Sequence, residues 1–343
     1  MKIALIELGS SHDECLYAQI KALKGQNISI HLICNEKLKD RVSIFNDITD
    51  FTFLPSKLTL LDLFRLWRKL YDFDKIIFNT ASGIVIRNLL FFPFSKSTEL
   101  IGIIHNTKKI LTSGSQRFIS RKVKKYFVLN DYLLDTIQNK PRTIKIASFY
   151  PICFPKPTFQ QIKPSGDIWV CIPGQVETKR RDYLGFLDAL KGFKIPPNIK
   201  FILLGKGAHK HGNGLEVRSK IEELGFSSQF RLWDDFIETQ EFNNYLYNAD
   251  FILPLIHPEK ESFHLYTHQI TGAFNLAFGL KIPLLMHEVF KSNSDFTDTS
   301  LFYSLDNLQS IICDLQIAKS PNYQLDKWSA TYQKDAYWNL LNN

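Results

Sequence analysis

Thr271-Gly272-Ala273, a small hydroxyl residue and a glycine ahead of an apolar segment, follow the run Phe251-Ile252-Leu253-Pro254-Leu255-Ile256. The pattern reads as a buried strand, a loop and a helix over 272–280. The unpaired first-turn N–H groups and positive dipole end of such a helix suit a diphosphate. A second cationic feature, Lys179-Arg180-Arg181, stands in the loop that carries an expected strand over 168–172 into an expected helix over 182–190. Cations at a strand-to-helix turn suit a pyrophosphate as well. Three basic residues ahead of a helix also fit a merely solvated face.

Further candidates end strands nearer the N-terminus. Gly9-Ser10-Ser11-His12 follows the first expected strand, and its small residues permit close backbone approach to a ligand. His105-Asn106 ends another, where an imidazole can hydrogen-bond or handle a proton, or can serve as a capped structural histidine. Asn79-Thr80 and Asn130 end two more and would line an acceptor side. Glu261 is the only carboxylate candidate for acid/base work near the 272–280 helix. His209 and His211 have an i,i+2 spacing but no further ligands, and a metal site needs three or four, so an exposed loop is expected there. Gly205-Lys206-Gly207 lacks the third glycine of a dinucleotide fingerprint and reads as a structural turn.

The elements that must position these residues alternate along the chain. Strands are expected over 2–8, 28–34, 75–78, 99–105 and 125–129, with amphipathic helices over 13–23 and 58–70. Strands separated by helices imply a parallel sheet with helices on both faces. Pro151, Pro155, Pro157 and Pro164 then break the pattern, which marks a linker between domains. Beyond it the alternation resumes: strands over 168–172, 200–204, 230–232, 251–255 and 283–286, and helices over 182–190, 215–224, 239–248 and 272–280. A last helix over 327–341, with Trp328, Tyr332, Tyr337 and Trp338, is expected to pack back across a domain surface. The expected fold class is α/β, two Rossmann-like domains facing a cleft, spanning 1–160 and 166–318, with a C-terminal helical segment over 319–343.

Composition agrees with two folded domains. The 343 residues are 45% hydrophobic and 22% charged, enough core-forming material for a globular chain of this length. No stretch reaches membrane-spanning length, and the short apolar N-terminus ends at Glu7, so a cytoplasmic protein is expected. Cys15, Cys34, Cys153, Cys171 and Cys313 stand singly, without metal spacing, and read mostly as small buried hydrophobes without disulfides or structural zinc. The net charge of +8 is uneven, with a basic stretch over 108–142. That stretch reads as a solvated helix face, as a surface for an anionic membrane, or as a site for a phosphate-bearing acceptor. Nucleic acid is not expected, because no recognised binding motif accompanies the charge.

In order of elements, 166–318 resembles the family-four type of GT-B glycosyltransferases. The segments that carry the resemblance are the strand-ending Gly174 with its basic loop to Arg181, the turn Leu203-Leu204-Gly205-Lys206-Gly207, the loop Leu232-Trp233-Asp234-Asp235-Phe236-Ile237, and Asn248 to Leu255. Thr271-Gly272 stands for the family's Ser-Gly, and Lys281-Ile282-Pro283 for its Gly-Lys-Pro-like turn. The resemblance implies transfer of a sugar from a nucleotide-diphosphate donor to a saccharide or lipid-linked acceptor, in surface polysaccharide or glycoconjugate synthesis, with retention and a front-face mechanism. It implies phosphates on Lys179 and Arg180, donors from Thr271, Gly272 and Ala273, and the base against Phe236 and Ile237. Gly9 and Gly174 would border the donor, and His105, His268 and Glu261 are the candidates for proton handling. No DxD motif appears where a divalent ion would be needed, so no metal is expected and the donor is the only small-molecule ligand implied.

The chain departs from that pattern at three places. Counting back from Pro283, His268 and Leu276 stand where many members carry two glutamates, and Gln175 stands where an arginine is usual. A second register reads Glu261-Ser262-Phe263-His264 as the family's Glu-Gly-Phe-Gly, with Gln269 for the second glutamate and a seven-residue insertion. Two other readings therefore accompany the transferase: a nucleotide-sugar epimerase of the same fold, and a nucleotide-sugar-binding protein without turnover. A peripheral site at the inner membrane face follows from the basic stretch and the hydrophobic 89–94 segment.

Overall fold

From Ile3 onward the Lys2–Glu7 segment is buried at every position, and a strand covered on both faces belongs at the centre of a parallel sheet. The computed structural model of the protein describes residues 1–25, 27–45, 48, 50–137, 142–158, 163–208, 213–315 and 322–343. His209, His211 and Lys140 lie outside the described residues. The chain forms two compact units, one of Met1–Pro155, His268–Ile270 and Asp326–Asn343, the other of Lys156–Thr267 and Thr271–Leu325.

The first unit holds seven parallel strands, β1 Lys2–Glu7, β2 Ser29–Asn35, β3 Asp50–Leu54, β4 Lys75–Phe78, β5 Glu99–Ile103, β6 Lys125–Val128 and β7 Lys145–Ser148. Their order, β3-β2-β1-β4-β5-β6-β7, reverses direction between β1 and β4. Ligands of such sheets bind outside the carboxyl ends at that reversal. β3 and β7 are not foreseen from sequence. Both lie at sheet edges and are only partly buried, so they lack the continuous apolar run of the central strands. The helix Leu60–Leu70 starts at a capping box, in which Thr59 Oγ1 accepts from Asp62 N–H at 3.2 Å and Asp62 accepts from Thr59 N–H at 2.9 Å.

The last helix, Ala330–Asn342, belongs to this unit. Its Tyr337 is buried, stacks on Phe127 at 4.4 Å between centroids, and donates to Gln19 Oε1 at 3.0 Å. Trp338 Nε1 donates to Ala22 O at 2.8 Å. These aromatic residues cover the Glu14–Leu23 helix and the β6–β7 side of the sheet.

The second unit holds six parallel strands, β8 Ile168–Pro173, β9 Ile199–Lys206, β10 Phe230–Trp233, β11 Phe251–Ile252, β12 Leu284–His287 and β13 Ser300–Tyr303. The order β10-β9-β8-β11-β12-β13 reverses between β8 and β11. The strand expected over 251–255 stops at Ile252. Pro254 has no N–H to give to a ladder, and Leu255 has a positive φ of 53°. All five cysteines are free; Cys15, Cys34 and Cys171 are buried, Cys153 is half-buried, and Cys313 is exposed.

Two glycines set the carboxyl end of β8 against β9. Gly174 has a φ of +106°, and a Cβ on Gly205 would stand 2.1 Å from the Gly174 carbonyl oxygen. Gly205 and Lys206 thus continue strand β9 where a structural turn was expected, and glycine is needed at 205 because only glycine allows this backbone approach. Gly205→Ala is expected to lower unfolding stability by about 1–3 kcal/mol, the usual range for overpacking. A denaturant midpoint unchanged from the wild type would show that the contact is not tight.

Candidate functional site

The switch point of the second unit brings together the loop after β8 and the loop after β11. Asp182 N–H donates to Leu255 O at 2.9 Å, and Tyr266 OH donates to Arg180 O at 3.3 Å. Arg181, one of the three cations singled out from sequence, has a different task from its neighbours. Its guanidinium donates to Pro173 O at 2.8 Å and Gln175 O at 3.0 Å, and so holds the turn at Gly174 from inside. Lys179 and Arg180 are exposed and form no ion pair with any described residue. The basic loop therefore divides into one structural arginine and two free cations.

Beneath this loop lies a buried polar chain that sequence reading missed. Asp182 caps the helix Tyr183–Ala189 by accepting from Gly185 N–H at 3.1 Å. Its other oxygen accepts from His257 Nδ1 at 2.8 Å, and His257 Nε2 pairs with Tyr303 OH at 2.7 Å. Lys260 Nζ stands 3.3 Å from Asp182. Burial alone would raise the Asp182 carboxyl, but its bond to His257, the Gly185 N–H and Lys260 together hold it below the usual carboxylate range. Burial pushes the Tyr303 phenol up, so it stays a neutral hydroxyl paired with His257 Nε2. The only sequence signal was a lone aspartate after a basic run and a histidine after an apolar strand.

The helix Gly272–Leu280 has the boundaries expected from sequence. Thr271 is its N-cap, accepting from Ala273 N–H at 3.4 Å, and Gly272 is exposed at the opening. The helix packs on β8 and β11, and as the crossover from β11 to the parallel β12 it opens at the carboxyl end of the sheet, the end at which the Lys179–Arg180 loop leaves β8. Phe236 is 67% exposed and Ile237 5%, so of this pair only the phenylalanine offers a ring face to a ligand. Glu261 is exposed and opens the 3-10 helix Glu261–Thr267. His268 belongs to the first unit, where its carbonyl accepts from Thr107 N–H at 2.8 Å, and its Nδ1 has no hydrogen-bond partner among the described residues. Leu276, half-buried on the helix, and Asn275, buried and with no partner for Oδ1 among the described residues, are not carboxylates.

Three solved structures share this architecture at low sequence identity. A putative UDP-N-acetylglucosamine 2-epimerase from Listeria monocytogenes aligns with a TM-score of 0.64 and 12% identity, covering 99% of this chain and 95% of that one. Anabaena Alr3699/HepE in complex with UDP-glucose aligns at 0.63 and 12%, covering 99% and 94%. A glycosyltransferase from Rickettsia africae ESF-5 aligns at 0.61 and 13%, covering 100% and 93%. The fold is GT-B. No family model and no curated protein matches the sequence.

In the first unit of this GT-B fold, the β1/β4 switch point carries a second polar cluster. Glu7 ends β1 and is buried, and its carboxylate accepts from Gly9 N–H at 2.7 Å, Asn79 Nδ2 at 2.6 Å and Thr80 Oγ1 at 2.6 Å. Gly9 and the Asn79-Thr80 pair, singled out from sequence as ligand-facing, thus have a partner inside the protein. Asn130 likewise serves its own helix, accepting from Leu133 N–H at 3.0 Å. His105 Nε2 donates to the Asn79 carbonyl at 2.7 Å, which leaves Nδ1 as the acceptor, and its ring stacks on His12 at 3.9 Å. Burial, with the adjacent His12 charge, lowers His105 to about 3. His12 is also pushed down by burial, but the Glu14 carboxylate 3.5 Å away and Glu7 more than offset this, so its pKa is raised. The two stacked imidazoles are shifted in opposite directions, His12 toward and His105 away from the protonated form.

Glu7, His12 and Glu14 are residues that sequence reading passed over as catalytic candidates. The available signal was a carboxylate closing an otherwise apolar strand. Burial, only partly offset by its donors, raises the Glu7 carboxyl above its ordinary 4.5. A raised carboxyl makes the folded state the tighter proton binder, so Glu7 lowers stability as pH rises from about 4.5 through its folded value. Glu7→Gln should remove that slope, its stability relative to wild type improving with pH across this window. Parallel denaturation curves of the two proteins from pH 4.5 to 7.5 would contradict the assignment.

Proposed function

We propose that the protein binds a nucleotide-diphosphate sugar in its second unit and transfers the sugar to a saccharide or lipid-linked acceptor, as a retaining, family-four-like glycosyltransferase in surface polysaccharide or glycoconjugate synthesis. One observation carries the reading: two free cations, Lys179 and Arg180, and a helix opening at Thr271-Gly272-Ala273 belong to the two sides of one switch point. Both features suit the same diphosphate. The Anabaena protein of this fold was solved with UDP-glucose, which supports the ligand class. Phe236 offers its exposed ring to the base, whereas the space a side chain at Gly174 would fill is taken by the Arg181 guanidinium rather than left for the donor.

In this reading the bond between the sugar's anomeric carbon and the β-phosphate oxygen breaks, and its electron pair stays on the phosphate. Lys179, Arg180 and the first-turn N–H groups meet the charge that grows there. The acceptor hydroxyl bonds to the anomeric carbon on the same face and gives its proton to the departing phosphate. In the first unit His105, whose Nδ1 is left as the acceptor, is a candidate for holding the acceptor, and His268 and Glu261 are secondary candidates for proton handling. A cytoplasmic location belongs to the same proposal.

A second reading, isomerisation of the donor's own sugar, is favoured by Glu7 and Glu14 beside His12 and His105, a set of acid/base groups at the other unit's switch point. Incubation with a panel of UDP- and GDP-sugars in deuterated water, followed by proton NMR, separates the two. Transfer predicts acceptor-dependent release of nucleoside diphosphate. Isomerisation predicts a new sugar signal and deuterium in recovered donor without an acceptor. Nucleotide binding with neither product would reject both and leave a binding protein without turnover.

A further inference from the structure

We propose that the outer face of three neighbouring helices in the first unit docks on an anionic lipid surface. The helices are Leu60–Leu70, Ile84–Leu89 and Gly114–Ile119, which pack side by side over the sheet. Their inward side is filled by Leu63, Leu66, Leu70, Ile86, Leu89 and Ile119. The outward side is also apolar: Leu60 is 74% exposed, Leu61 56%, Phe64 40%, Ile84 61% and Phe91 63%. Ring contacts group the aromatic members of this face, with Trp67 stacked on Phe92 at 5.3 Å, Phe64 tilted against Phe92 at 6.0 Å, and Phe91 tilted against Phe118 at 4.6 Å. Large apolar side chains grouped in this way on a surface mark an interaction site.

Charge selects the occupant. Between positions 60 and 124 there are twelve Lys and Arg against four Asp and Glu, an excess equal to the net +8 of the whole chain. Three of the four acids are already engaged: Asp62 in its helix cap, Asp74 with Lys2 N–H at 2.7 Å, and Glu99 with Lys75 and Lys125. Arg68, Lys96, Arg117 and Arg121 are exposed and form no ion pair with any described residue. Apolar and aromatic side chains flanked by unpaired cations match the headgroup boundary of an anionic leaflet, where both kinds of group gain at once. A soluble polyanion would use the cations and leave Leu60, Leu61 and Phe91 in water. No helix among the described residues is long and apolar enough to span a membrane, so the contact is one of surface docking.

Vesicle flotation of the full chain tests this independently of the nucleotide-sugar reading. Phosphatidylcholine vesicles with about 30% phosphatidylglycerol should bind the protein at least tenfold more tightly than pure phosphatidylcholine in 50 mM salt, the preference falling at 0.5 M. Leu61→Ser/Phe91→Ser and Arg68→Glu/Arg117→Glu, checked as folded by circular dichroism, should each lose tenfold or more, since one surface cation is worth roughly fivefold. Equal binding to both vesicle types overturns the proposal. So does anionic binding that the apolar substitutions leave intact, which would indicate a soluble-polyanion site. Titration of UDP into the same variants should match wild type, so failure of the nucleotide site and failure of the lipid site give different results.

Discussion

Lys179→Ala/Arg180→Ala is expected to weaken UDP binding by about 100-fold in a calorimetric titration. Both side chains are exposed and unpaired, so their removal leaves no buried partner stranded and costs the fold little. What is lost is contact with the diphosphate, where a hydrogen bond to a charged group contributes about 1.5–3 kcal/mol. Two such contacts, reduced for solvent exposure, amount to about 3 kcal/mol, or roughly two decades of affinity. The residual affinity would come from the helix N-terminus at Thr271-Gly272-Ala273, which salt screens less than it screens two surface side chains. The double variant should therefore bind more weakly but with less salt dependence. Arg181 behaves differently, because its guanidinium holds Pro173 O and Gln175 O; Arg181→Ala should lower stability as well as affinity. An affinity change under threefold for the double variant would remove Lys179 and Arg180 from the phosphate site.

Asp182→Ala should be among the most destabilising single changes in the second unit, at about 3–5 kcal/mol, the range for breaking a buried charged pair by removing one partner. Three groups lose their partner together: the Gly185 N–H at the helix start, His257 Nδ1, and Lys260 Nζ. The His257–Tyr303 bond then has nothing to fix the ring. Because the folded carboxyl lies below its ordinary 3.8, its contribution is present above that pH and is lost as pH falls through the folded value. Asp182→Asn keeps the shape and one acceptor, so its deficit relative to wild type should shrink toward zero in strong acid. The chemical-denaturation midpoints of both variants at pH 7 and pH 2.5 measure this. A loss below 1 kcal/mol for the alanine variant would mean the chain of bonds is not coupled to folding.

The two changes act at adjacent positions with opposite consequences. Lys179 and Arg180 are exposed on the loop, whereas Asp182 is buried at the start of the helix that follows. A strand-to-helix turn at a switch point presents some residues to a ligand and turns others into the core, and the residue type alone does not say which. Arg181 illustrates the point: in sequence it is one of three equal cations, and in the fold it is a brace.

Element order and the start of the Gly272–Leu280 helix were legible because local chemistry dictates them. Continuous apolar runs required central strands at Lys2–Glu7 and Ile168–Pro173, and Thr271 with Gly272 required a helix start, found with its N-cap in place. The alternation of strand and helix then required parallel sheets, because a crossover helix returns the chain to the same end of the sheet. Edge strands β3 and β7 escaped because half-buried edges carry a weaker pattern. The polar clusters escaped for another reason. Glu7 and Asn79, and Asp182, His257 and Tyr303, are separated by 46 to 75 residues along the chain, so nothing local links them.

The sequence by itself determined the α/β class, the doubly wound order of elements and the places where loops meet at the carboxyl ends of strands, since these follow from periodicity, proline and glycine. Only the tertiary structure decided which polar residues stay free for a ligand and which are consumed within the protein. Gly9, Asn79 and Thr80 are spent on the Glu7 carboxylate, and Arg181 on two carbonyls, while Lys179, Arg180 and Phe236 remain exposed. A buried polar group must be hydrogen-bonded, and its partner is found by packing elements distant in sequence; that pairing exists only once the sheets have assembled.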